Sequence, residues 1–78
     1  SHAKRLTIQL PIEEISNDHI INLKQIIKDF KGDKHLELII YETSEKIKIT
    51  MPSKKFKIDI SNQLLKKLED EQIRYKLN

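Results

Sequence analysis

The stretch from His35 to Glu42 constrains this chain more than any other. Leu36, Leu38 and Ile40 alternate with Glu37, Ile39 and Tyr41, so one side of an extended backbone is wholly aliphatic and the other partly so. That pattern predicts a strand with neighbours on both edges. The remaining strand candidates have a single apolar side, so the fold is expected to grow outward from this one.

Upstream, Leu6, Ile8 and Leu10 alternate with Arg5, Thr7 and Gln9, which predicts a strand from Lys4 to Leu10. Pro11 ends it, because proline cannot donate to a ladder. Ser16 is placed to cap a helix in which Ile20, Leu23, Ile27 and Phe30 recur at spacings of three and four. Gly32, the only glycine, stands where that helix turns back, and a left-handed C-cap is the expectation there.

After a turn at Thr43 to Glu45, Ile47, Ile49 and Met51 are expected to face inward from a strand whose outer side carries Lys46, Lys48 and Thr50. Pro52 begins another turn, and Phe56, Ile58 and Ile60 predict a further strand. Ser61 caps a second helix, Asn62 to about Glu71, that offers Leu64, Leu65 and Leu68 to the core. Ile73, Tyr75 and Leu77 define a closing strand. The order strand, helix, three strands, helix, strand predicts an α+β two-layer sandwich, one mixed sheet of about five strands with both helices on one face. The segment from Phe56 to Ile60, the second helix and the last strand are expected to make a right-handed parallel crossover.

Seventy-eight residues suffice for one domain, and a chain of that size buries only roughly 60% of its unfolded surface. Ser1, His2 and Ala3 read as an expression-tag remnant, which leaves residues 4–78 as a single domain and suggests a piece of a longer protein. The absence of cysteine removes disulfides and thiolate metal sites and fits a cytoplasmic setting. No apolar run approaches the roughly 20 residues of a membrane span.

Enzymatic groups are scarce. His19 and His35 have no second ligand at metal spacing and read as surface histidines. Glu13-Glu14 and Glu69-Asp70-Glu71 read as solvated charge runs, and one glycine makes no phosphate-cradling loop. No cofactor, metal or small-molecule substrate is expected. Fifteen basic against twelve acidic residues give a mild +3. The alternation gathers Arg5, Lys46, Lys48, Lys55, Lys57, Arg74 and Lys76 on the outer side of the sheet, a face that suits a phosphate backbone or an acidic partner. Tyr41 is its one aromatic, fewer than sheets that stack single-stranded bases use. The plain alternative is lysine solubilising a sheet face.

Several stretches carry a family resemblance: Leu6-Thr7-Ile8-Gln9-Leu10-Pro11, the helix end Asp29-Phe30-Lys31-Gly32 and Met51-Pro52-Ser53-Lys54-Lys55-Phe56. Ile60-Ser61-Asn62-Gln63-Leu64-Leu65 and the terminal Ile73-Arg74-Tyr75-Lys76-Leu77-Asn78 complete the set. From Leu6 to Asn78 the chain resembles the extreme C-terminal domain of the bacterial replicative DNA polymerase III alpha subunit, with an ending like that of Bacteroidetes sequences. The resemblance implies a non-catalytic module that docks the clamp-loader tau subunit beside neighbouring polymerase domains, the catalytic aspartates lying upstream. It points to Leu68, Ile73, Arg74, Tyr75, Lys76, Leu77 and Asn78 as the partner contact. A small basic domain that binds single-stranded nucleic acid through its open sheet is the competing reading.

Overall fold

The computed structural model describes residues 2–44 and 47–78. Its elements are β1 (Arg5–Pro11), a short 3-10 turn (Ile12–Glu14), α1 (Asn17–Asp29), β2 (Lys31–Glu42), β3 (Ile47–Pro52), α2 (Asn62–Asp70) and β4 (Arg74–Leu77). The α+β class and the mixed sheet with two helices stand. The sheet has four strands among the described residues, ordered β3-β2-β1-β4.

Both helices start where serine allows. The Ser16 hydroxyl accepts from the His19 amide at 3.2 Å, and the Ser61 hydroxyl accepts from the Leu64 amide at 3.1 Å, each satisfying a donor that the first helical turn leaves over. The core lies between helices and sheet, with Leu6, Ile8 and Leu36 from the strands, Leu23 and Ile26 from α1, Leu64 and Leu68 from α2, and Ile58 from the segment before it.

Three expectations change. The segment from Phe56 to Ile60 is not a strand; only Ile58 makes isolated bridges, to Lys31 and Lys34. Its alternation serves a crossing loop that pushes Ile58 into the core, after a turn in which the Ser53 hydroxyl accepts from the Phe56 amide at 3.1 Å. Consequently the parallel crossover is a different one. β1 and β2 are the parallel pair, joined through α1, while β4 runs antiparallel to β1.

Gly32 is the third. β2 begins directly after α1, so Gly32 is a strand residue, and no glycine has positive φ. Its amide donates to the Lys57 carbonyl at 3.1 Å, and the Asp59 amide donates to the Phe30 carbonyl at 2.7 Å. A Cβ at Gly32 would lie 2.5 Å from the Asp59 nitrogen and 2.6 Å from its Cα. Glycine is needed because two backbones cross there.

The left-handed position among the described residues is Gln72, with φ of 60°. The Gln72 amide donates to the Glu69 carbonyl at 3.0 Å and the Ile73 amide to the Leu68 carbonyl at 2.8 Å, the paired bonds of a Schellman stop to α2. A side chain in that conformation costs about 1 to 2 kcal/mol. Replacing Gln72 with glycine is therefore expected to raise stability by about 1 kcal/mol, read as a higher urea midpoint with unchanged slope. A lower midpoint would mean that the Gln72 side chain contributes more than its backbone strain removes.

Candidate docking surface

Cross-strand register assigns each strand residue to a side of the sheet. Leu6 pairs with Leu36, Ile8 with Leu38 and Leu10 with Ile40; Leu38 then pairs with Met51 and Ile40 with Ile49. Ile47, Ile49 and Met51 therefore share the helix side, as the alternation predicts, yet they are 53%, 57% and 39% exposed. The reason is where the helices sit. α2 leads into β4 at one edge, and the Asn22 amide of α1 donates to Glu71 at its end at 2.7 Å, drawing α1 towards α2. Nothing described roofs β3 at the other edge. Leu38 and Ile40, next to it, are only half-buried.

A second apolar patch lies on α1. Ile21 and Ile27 there, with Phe56 from the crossing loop, line a cleft of about 550 Å³ together with Lys24, Gln25 and Lys28. Ile21 is 65% and Phe56 41% exposed. The Lys55 ammonium stands 5.7 Å from the centre of the Phe56 ring, within cation–π range. Alternation alone puts the β3 residues on the core side and says nothing of their cover. The available signal was arithmetic: four strands with apolar faces exceed what two helices of thirteen and nine residues cover.

The opposite, helix-free side is only partly the basic face expected. Arg5 pairs with His35, Lys48 with Tyr41, Arg74 with Gln9 and Lys76 with Thr7, so these four do share it. Lys55 and Lys57 lie on the crossing loop outside the sheet, because their segment is not a strand. Lys46 lies outside the described residues. Acids also intrude. The Arg74 guanidinium donates to Glu14 at 2.9 Å, and Thr7, almost fully buried, donates to Glu37 at 3.4 Å in the middle of the face. The bond to Glu14 first, then that carboxylate's charge and Tyr41, lifts the Arg74 pKa further above its ordinary value.

The terminal strand divides. Leu68 is wholly enclosed in the core, and Ile73, Tyr75 and Leu77 pack against it, half-buried. Loss of water, then the charge of Glu69 and a bond to it at 3.5 Å, raises the Tyr75 hydroxyl above the usual tyrosine pKa. Of the predicted contact residues, Arg74, Lys76 and Asn78 are the exposed ones. His19 lines a separate hollow of about 240 Å³ that also holds the Glu14–Arg74 pair, smaller than the roughly 300 Å³ at which ligand pockets begin. Among the described residues no group of three or more His, Asp or Glu is placed to hold a metal. No described helix is long and apolar enough to cross a membrane.

Four strands under two helices, with an uncovered apolar strip at one sheet edge, define a small α+β domain whose distinctive feature is a surface rather than a cavity. The family model of the DNA polymerase III alpha subunit, C-terminal domain, matches residues 6–78, and the chain belongs to that family. Among curated proteins no sequence matches it.

Proposed function

We propose that the chain is a non-catalytic module that couples the DNA polymerase III alpha subunit to the clamp-loader tau subunit in the cytoplasmic replisome. The observation that carries this reading is the uncovered strip of Ile47, Ile49 and Met51, with Phe56 of the crossing loop exposed as well. Each of these side chains keeps about half its surface in water, and covering the rest is worth roughly 1 kcal/mol apiece. A domain this small gains by leaving such residues bare only if something else covers them. Family membership supports the assignment to the polymerase alpha subunit. The resemblance supplies tau as the partner.

The competing nucleic-acid reading is weakened by Glu14 beside Arg74 and Glu37 between Thr7 and Pro52, which dilute the cationic face. Calorimetric titration of the chain with purified tau subunit, alongside single-stranded DNA at two salt concentrations, separates the two. Micromolar or tighter binding of tau is expected, with DNA binding weaker than about millimolar at physiological salt. Tight, steeply salt-dependent DNA binding that Lys48→Glu abolishes, with no heat on adding tau, would overturn the coupling role.

A further inference from the structure

We infer that the cleft on α1 takes an acidic segment of the partner protein that carries a large apolar side chain. The inference rests on the coupling role proposed above for the identity of the partner, and on the cleft alone for the chemistry of the contact. Ile21, Gln25 and Lys28 lie at spacings of four and three and so share one face of α1, and Ile27 and Phe56 add apolar surface to the same cleft. Its volume of about 550 Å³ falls within the roughly 300–1,000 Å³ of sites that enclose a ligand.

Phe56 is held in place from both sides. The Ser53 hydroxyl accepts from the Phe56 amide at 3.1 Å, the Lys57 carbonyl accepts from the Gly32 amide at 3.1 Å, and Ile58 is enclosed in the core. A ring 41% exposed on a backbone so pinned is already in position before any partner arrives, which lowers the ordering cost of binding.

Charge gives the segment its sign. Lys24 and Lys28 line the cleft, no carboxylate is among its described lining residues, and the Lys55 ammonium stands 5.7 Å from the centre of the Phe56 ring. Lys54 and Lys57 flank that ring in sequence, and all five lysines are exposed. Two acids share these stretches. Asp29 accepts from the Gln25 amide at 2.8 Å, and Asp59 follows Ile58 where the loop crosses Gly32. Five lysines against two acids make this corner as positive as the whole chain, whose net charge is +3. Carboxylates are drawn to it, and an apolar side chain among them meets Ile21, Ile27 and Phe56.

A second copy of the chain is a poor source of that segment. Exposed Ile12 precedes Glu13 and Glu14, a suitable composition, but those carboxylates already accept from Thr43 and Arg74, each at 2.9 Å. Asp70 and Glu71 of α2 pair with Lys66 and Lys67 at 3.6 and 3.8 Å. A phosphate backbone would satisfy the lysines and leave Ile21 and Phe56 in water. A protein segment answers both.

The test is amide-resolved NMR titration of the full chain with purified tau subunit, and separately with single-stranded DNA. Tau is expected to shift amides from Ile21 to Lys28 and from Lys55 to Lys57, and the double variant Lys24→Glu, Lys28→Glu to bind it about tenfold or more weakly at low salt. Lys76→Glu, on the helix-free side, is expected to change the affinity less than about twofold. The same spectra report whether each variant is folded. Tau that binds with those amides unmoved, or equally well to the double variant, overturns the cleft and leaves the coupling role standing. If tau does not bind at all, the coupling role falls, and the cleft is judged on a synthetic peptide with one phenylalanine among aspartates and glutamates. Shifts in the same amides, with affinity lost about tenfold or more both when that phenylalanine becomes serine and when the acids become amides, support the cleft. No binding, or equal binding by either altered peptide, overturns it. So does DNA that shifts those amides more strongly than tau or the peptide, or self-association of the chain through them.

Discussion

Replacing Leu68 with alanine is expected to destabilise the chain by about 2–5 kcal/mol and to leave the affinity of the folded fraction for its partner unchanged. Leu68 is fully enclosed, among Leu6, Ile8, Ile58 and Leu64. Removing it forfeits transfer free energy and opens a cavity that α2, pinned by its Ser61 cap and by the Ile73–Leu68 backbone bond, closes only in part. A domain of this length has about 4–12 kcal/mol in total, so the change consumes much of it. Urea denaturation by circular dichroism, with tau affinity measured below the transition, checks both halves. A loss under about 1 kcal/mol together with a weaker complex would mean that Leu68 reaches the partner, the role implied by the family resemblance and not by its place in the core.

Gly32→Ala carries the second large effect, about 3 kcal/mol of destabilisation, the upper end of what an intruding methyl group costs in packed surroundings. The intruding atom meets the Asp59 backbone, and backbone cannot rotate aside as a side chain does. Accommodation requires the crossing loop to lift, which lengthens the Gly32–Lys57 and Asp59–Phe30 bonds and drags Ile58 from the core. The sharper control is Gly32→Asn. Asparagine tolerates a left-handed conformation better than alanine does, so a left-handed cap predicts partial recovery, whereas a close crossing predicts a loss at least as large. Hydrogen exchange at the Asp59 amide should accelerate in both variants. Stability equal to the parent in Gly32→Ala would remove the crossing as the reason for glycine.

What was legible in the sequence was local. Ser16 and Ser61 cap their helices because a hydroxyl two or three residues ahead of free amides needs nothing distant. The alternation around Leu36 identifies a strand flanked on both sides because side-chain period alone decides it. Gly32 is ambiguous in the sequence because the same residue serves a turn or a crossing, and only the fold brings residues 57–59 against it. Phe56, Ile58 and Ile60 alternate as a strand would, but alternation reports an extended backbone and is silent on whether a ladder partner is within reach. β3 shows the same limit at a surface: its register is as predicted, while its cover depends on how far two helices reach. Leu38, opposite Met51, is half-buried for that reason, and Leu36 is the enclosed residue of β2. The helix-free side was legible for Arg5, Lys48, Arg74 and Lys76, but the carboxylates that temper it come from a 3-10 turn and a neighbouring strand.

The place of β1 in the sheet bears on how the chain is made. Of the four described strands β1 is made before the others, yet it sits between β2 and β4, and its pairing with β4 joins residues 6–9 to residues 74–77. Such distant pairing makes for slow folding, and here it also delays completion until Leu77 has emerged. Until then Leu6 and Ile8 lack their final neighbour, and the nascent chain carries an unpaired strand edge that a chaperone can hold or another chain can capture.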